Sequence, residues 1–240
     1  MTGFPATRIS VVAALRDSDT TVRERALDLL AATYWRPVYT YIRLKWRAEP
    51  DAAEDLTQEF FARAIERDFF AQYDPARARF RTWLRLGIDR MVANAREAAG
   101  RQKRGGGTRT VPLDAAELER DLAARAPGPL PDDDELFRRE VARTLFTHAV
   151  ESLRAECETT GKFVQWRVFE AYDIEGPDRE TRVTYAELAV EHGTPVTQVT
   201  NYLAAMRRRF RALVLDQLRE LSASDAEFRA EARDLLGIDA

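Results

Sequence analysis

The 240-residue chain has one cysteine, Cys157, and two histidines, His148 and His192. A single thiol excludes an internal disulfide and a cysteine zinc cluster, and so few imidazoles leave no transition-metal site or other cofactor to expect. Glycine (11) and proline (10) are sparse and gather in three places. These are Gly105-Gly106-Gly107, the run Pro127-Gly128-Pro129-Leu130-Pro131 ahead of Asp132-Asp133-Asp134, and Gly176-Pro177. No stretch alternates apolar and polar residues as a half-buried strand requires, and no internal repeat is visible. No apolar run approaches the roughly 18 residues of a membrane span. The amino-terminal residues lack the basic-then-apolar pattern of a signal peptide. These absences predict a reduced, cytoplasmic, all-α protein with no membrane partner.

The net charge is only -3, yet the charges are segregated along the chain. From Arg77 to Arg109 ten Arg/Lys (77, 79, 81, 85, 90, 96, 101, 103, 104 and 109) face two acids, Asp89 and Glu97. From Asp114 to Glu140 the balance reverses. Nucleic-acid binding depends on where cations sit, not on the total.

Apolar residues at three- and four-residue steps predict helices nearly throughout. Leu27, Leu30, Tyr34, Val38, Tyr41 and Leu44 stripe a first helix, which Pro37 is expected to kink or restart. Pro50-Asp51 opens a second helix running to about residue 67, with Leu56, Phe60, Phe61 and Ala64 inward. A third spans about Phe80 to Lys103. Between 105 and 134 the periodicity fades, except for a short helix at Ala115 to Ala124, and the remainder reads as a flexible acidic Pro/Gly linker. Helices resume at Glu135–Thr159, Phe163–Tyr172, Thr184–His192, Pro195–Leu218 and Asp225–Leu236, the last capped by Ser222 or Ser224. Two small helical domains, 23–104 and 135–218, therefore flank the linker 105–134, with an extension at 1–22 and a helical tail at 219–240.

The stretch from Val183 to Arg211 has the pattern of a helix-turn-helix. Thr184 and Glu187 have capping-box spacing. Gly193 suits the turn, Thr194 the next cap and Pro195 the first helical position. Val196, Val199, Leu203 and Met206 share one face. Thr197, Gln198, Thr200 and Asn201 are left for base edges, and Arg207, Arg208, Arg209 and Arg211 for phosphates. An ordinary helical hairpin with a solvated basic face is the alternative.

Two features mark the amino-terminal half. Arg79-Phe-Arg-Thr-Trp-Leu-Arg85 interleaves cations with rings, as strand separation requires. Phe80 reads as core, whereas Trp83 stays open between core and a stacking face. Arg90, Asn94, Arg96, Arg101, Lys103 and Arg104 lie on the polar face or the free end of the helix. Asp51-Ala-Ala-Glu-Asp-Leu-Thr-Gln-Glu-Phe-Phe61 clusters Glu54, Asp55, Gln58 and Glu59 on one side. Spacing alone favours a solvated face there over a docking face for a basic partner.

Taken in order, these stretches resemble a bacterial RNA polymerase sigma factor of the ECF (extracytoplasmic function) class. The resemblance rests on Tyr34-Trp-Arg-Pro-Val-Tyr-Thr-Tyr41, the Asp51–Phe61 motif, Phe80-Arg-Thr-Trp-Leu84 and the helix-turn-helix. It covers roughly residues 23–105 and 135–215. It implies a non-enzymatic initiation factor whose partners are core RNA polymerase and promoter DNA. Glu54, Asp55, Gln58, Glu59 and Phe60 would dock on the clamp helices of the large polymerase subunit. Arg81, Trp83, Asp89, Arg90, Asn94, Arg96, Arg101, Lys103 and Arg104 would melt and read the minus-ten element. The helix-turn-helix would read the minus-thirty-five element, and an anti-sigma protein or other regulator is a further partner. A regulator that binds an operator without polymerase is the alternative. The chain departs from the family in its insert at 176–182, its tail, and a less basic Thr-Gln-Val-Thr-Asn reading segment, so promoter preference does not transfer.

Overall fold

A computed structural model describes residues 10–15, 17–66, 69–99, 115–125, 128–176 and 183–238. Every regular element among them is helical, as the spacing predicts. None of these helices is long and apolar enough to cross a membrane. The chain divides into two compact units, Met1–Thr144 with Leu218–Ala240, and Leu145–Gln217.

The first unit is built on α2 (Thr20–Lys45), which follows the short α1 (Val11–Ala14). Asp19 caps α2 by accepting from the Thr21 N–H at 2.8 Å. From Tyr34 to Ile42 every residue except Arg36 is buried. Burial on all sides makes this the central helix of its unit. It explains why Pro37 does not restart the helix, one of the two outcomes expected of it. A proline inside a helix costs about 3 kcal/mol. Here it is flanked by Trp35, Val38, Tyr39 and Tyr41, each 0% exposed. Large apolar side chains stabilise by roughly 1.5–3 kcal/mol each when buried, so packing wins.

Around α2 lie α3 (Pro50–Glu66), a 3-10 turn at Phe70–Gln72, α4 (Phe80–Ala99), α5 (Ala115–Ala124), the start of α6 (Asp133–Thr159) and α10 (Asp225–Leu236). The expected domain boundaries need two corrections. The tail beyond Leu218 joins the first unit, because Phe228, Ala232 and Leu235 are buried there. The expected linker is also partly built in. Leu118 of α5 is buried. The Glu119 carboxylate accepts from Tyr39 Oη at 2.6 Å and from the Arg43 guanidinium at 2.6 and 2.8 Å. The aspartate run begins α6: Asp132 accepts from the N–H groups of Asp134 and Glu135, and Asp133 pairs with Lys45 at 2.6 Å. The Gly105–Gly107 run lies outside the described residues.

The Arg43 hydrogen bonds hold the Glu119 carboxyl below the usual carboxylate range, the Tyr39 hydroxyl adding to them against partial burial. A depressed carboxyl contributes stability above its unfolded value, and that contribution is lost as pH falls through the lower folded value. Docking of α5 is therefore expected to loosen below about pH 4.5, read as faster amide exchange within 115–125. Glu119→Gln should bring that fast exchange to neutral pH. Equal protection of α5 in the variant at pH 7 would contradict the assignment.

The second unit comprises the rest of α6, α7 (Phe163–Phe169), a π-helical segment at Glu170–Ile174, α8 (Tyr185–Glu191) and α9 (Val196–Glu220) as far as Gln217. Its core joins Leu153, Cys157, Trp166, Val168, Phe169, Leu188, Val199, Leu203 and Met206. Cys157 is a buried free thiol whose ionisation is suppressed by desolvation.

Candidate nucleic-acid interface

Along α3 the helical repeat separates two faces. Ala53, Thr57, Phe60, Phe61 and Ala64 are buried. Asp55 is exposed, and Glu54, Gln58 and Glu59 are half-exposed. The polar side chains ladder along the outer face: Gln58 donates to Glu54 at 3.2 Å, and Glu59 pairs with Arg63 at 2.5 Å. Leu56, expected inward, is half-exposed. Phe60, which the resemblance assigns to docking, is 3% exposed and cannot offer its ring to a partner. It packs edge-on against Phe61 and Phe69 instead.

Phe69 links α3 to α4. Its ring stacks on Trp83 at 4.1 Å and 19°, and Trp83 also meets Tyr73 and Phe80. The open choice at Trp83 thus resolves into a half-buried ring inside an aromatic cluster. Gly87 makes the stack possible, because a Cβ there would lie 2.4 Å from Phe69 Cζ. Beside the cluster opens a cleft of about 340 Å³. Phe60, Ala64, Phe69 and Met91 form its apolar lining, and Arg63, Gln72, Arg90 and Asn94 its polar lining. Arg90 and Asn94 are exposed, one helical turn apart, and flank this cleft. Sequence reasoning missed Phe69 and Gln72, which carry no periodic signal; only their place in the aromatic run Phe69-Phe70-Ala71-Gln72-Tyr73 could have pointed to them.

Three other residues proposed for DNA on α4 are occupied within the unit. Arg81 is 3% exposed. Its guanidinium reaches Glu231 at 3.2 Å and Asp234 at 2.5 Å, both on α10. It is a core ion-pair member and not a surface cation. Burial pushes the Glu231 carboxyl up, against the pull of Arg81. Asp89 accepts from Tyr41 Oη, Lys45 Nζ, Trp46 Nε1 and Arg85 Nη1, so its role is to tie α2 to α4. Arg96 is exposed but donates to the Trp46 carbonyl and lies over the Trp46 ring at 5.0 Å. Arg101, Lys103 and Arg104 lie outside the described residues.

The start of α4 is capped from 147 residues away. Glu227 of α10 accepts from the Phe80 N–H at 2.7 Å and from Tyr73 Oη at 2.9 Å. The first turn of a helix carries unpaired N–H groups, and a carboxylate there is favoured by the helix dipole. Ser224, one of the two expected caps, starts α10 by accepting from the Glu227 N–H.

In the second unit Thr184 and Glu187 form the full capping box at the start of α8. Gly193 takes a φ of 59° in the turn, where a side chain is disfavoured. The Thr194 N–H closes the turn onto the Ala189 carbonyl at 2.9 Å. The carbonyl of Pro195 accepts the first bonds of α9, from Gln198 and Val199, so the cap falls one residue later than expected. Val199, Leu203 and Met206 are buried with Leu188 and Ala189. Val196, expected among them, is 46% exposed. Thr197, Thr200 and Asn201 are exposed, and Gln198 is half-exposed. Of the arginines that follow, two are engaged. Arg207 makes a two-pronged pair with Asp173 at 2.8 Å, and Arg209 pairs with Glu156 at 2.7 Å. Arg208 and Arg211 are exposed.

No family model, curated protein or solved structure matched the chain.

Proposed function

We propose that the chain is a bacterial sigma factor of the ECF class, which binds core RNA polymerase and directs promoter recognition and melting. The observation that carries this reading is the polar outer face of α3, with Asp55 exposed and Glu54, Gln58 and Glu59 half-exposed, on the same helix that with α4 lines the aromatic cleft bordered by Arg90 and Asn94. The acidic face suits a basic protein partner. The cleft offers the Phe69 ring and an apolar wall to an unstacked base, with cations at its edge for the strand's phosphates. The α8–turn–α9 pair acts as a helix-turn-helix in a separate carboxy-terminal domain, and reads a second promoter element in the major groove. Two weak readers on one chain raise each other's effective concentration once polymerase holds both. No chemical step or cofactor is involved, and the site of action is the cytoplasm. An anti-sigma protein is a fitting regulator of such a factor.

The test is capture of core polymerase by the full chain, followed by promoter-dependent transcription in vitro. The wild-type chain is expected to retain core enzyme. Asp55→Lys, at an exposed position that leaves the core of α3 untouched, should weaken capture at least tenfold, because like charges across an interface cost several kcal/mol. A chain that binds duplex DNA yet ignores core polymerase would be an ordinary operator-binding regulator, and the proposal would fall.

A further inference from the structure

Resting on the helix-turn-helix reading above, we infer that the base-reading face of α9 selects A·T-rich duplex and does not read guanine. From Val183 to Met206 there is no lysine or arginine. Arginine or lysine on guanine O6 and N7 is the commonest specific contact in the major groove, and this surface cannot make it. The exposed side chains of the first two turns of α9 are Val196, Thr197, Thr200 and Asn201, with Gln198 half-exposed beside them. Asparagine and glutamine match the N6/N7 edge of adenine in two-pronged fashion, and methyl groups meet the thymine methyl. Val196 belongs to this set because it points away from the core that Val199 and Leu203 fill.

The arginines after Met206 do not change this. Arg207 and Arg209 are held by Asp173 and Glu156 within the same unit. Only Arg208 and Arg211 of the group lack an ion pair among the described residues, and both are exposed. They lie about three to four turns along the helix from Val196, beyond the base-reading turns, where they suit phosphates. Two phosphate contacts give a shallow salt dependence, with log K falling against log salt at a slope of about -2.

The experiment is recovery of duplexes from a pool randomised over ten base pairs, using the full chain alone and with core polymerase. Enrichment of A·T pairs in a window of a few positions is expected. Asn201→Ala should then relax preference at one position by roughly 5- to 150-fold. Replacing thymine with deoxyuridine in the recovered duplex should weaken binding by about fourfold per lost methyl contact. That loss should disappear in Val196→Ser, whose exposed site leaves the fold intact. Recovered pools that are G·C-rich, or bind equally to every sequence, overturn the A·T inference while leaving DNA binding in place. Recovery of no duplex, with or without core polymerase, overturns the helix-turn-helix reading as well.

Discussion

Replacing Arg81 with methionine is expected to destabilise the first unit by about 3–5 kcal/mol at neutral pH, the range for stripping one partner from a buried ion pair. Arg81 and Glu231 are 3% and 7% exposed, so water screens neither. Methionine keeps the stem's packing and removes only the charge. Glu231 is then left with Arg79, whose nearest approach is 3.8 Å, as its remaining cation. That residual contact and the partial exposure of Asp234 place the cost toward the lower end. The effect has a pH signature. Burial already lifts the Glu231 carboxyl above its unfolded value. A raised carboxyl contributes stability below the unfolded value, and this is lost as pH rises through the folded one. Removing Arg81 lifts the carboxyl further, so the deficit against wild type should grow from pH 4 to pH 7. Urea denaturation at the two pH values measures it, and amide exchange in α10 and α4 localises it. Arg81→Met with Glu231→Leu should recover most of the loss, since an apolar pair of similar volume replaces a buried ion pair at little cost. If Arg81→Met instead keeps wild-type stability and loses only DNA binding, Arg81 is a surface contact after all and the packing of α10 is wrong.

The same residue shows how far sequence carries. Helix positions were legible because they follow from local chemistry. The Thr184–Glu187 capping box, the left-handed Gly193, and α10 at Asp225–Leu236 each depend on neighbours within a few residues. What each charged side chain does was far less legible. The basic run after Arg77 reads as a surface for a polyanion, and Asp132–Asp134 as part of a flexible acidic linker. Folding brings them together: Arg81 with Glu231 and Asp234, Arg85 with Asp134, and Lys45 with Asp133. Pairings across 49 to 153 residues leave no mark in local spacing. The same holds for Phe60 and Trp83. Periodicity gives the direction in which a side chain points, but not whether another element covers it. Phe69 covers both rings, from a segment between helices where no period applies. The candidate interface that remains is smaller than the sequence suggests; among the described residues, the proposed contacts that stay exposed include Asp55, Arg90, Asn94, Thr197, Thr200, Asn201, Arg208 and Arg211.

Asp89 offers the second large effect, because the resemblance places it at DNA and the structure places it at the centre of a hydrogen-bond hub. Tyr41 Oη donates to both of its oxygens at 3.1 Å, Lys45 Nζ at 2.8 Å, Trp46 Nε1 at 3.1 Å and Arg85 Nη1 at 3.2 Å. Its side chain is 19% exposed, and those of Lys45 and Arg85 are 21% and 14% exposed. Asp89→Ala strands four donors at once. Lys45 keeps Asp133 and Arg85 keeps Asp134, so neither cation loses every partner. Tyr41 Oη still accepts from Lys45, but its own O–H, like Trp46 Nε1–H, is left with no other acceptor among the described residues. Hydrogen bonds to a charged acceptor are worth about 1.5–3 kcal/mol each, and part of the set survives, so a loss of about 3 kcal/mol is expected. Asp89→Asn should be no gentler in kind. Its amide oxygen can still accept, but its amide nitrogen faces the same crowd of donors. Burial pulls the Lys45 ammonium down, and the hydrogen bonds to Asp133 and Asp89 more than offset it, leaving it raised. In Asp89→Ala the Lys45 ammonium should therefore titrate lower than in the wild-type chain, which side-chain NMR of the amine can follow. A DNA-contact role makes the opposite forecast. Removing an acid from a phosphate-facing surface would strengthen binding and leave stability and the Lys45 titration as they are. Thermal denaturation, the Lys45 titration and duplex affinity of one variant therefore separate the two roles.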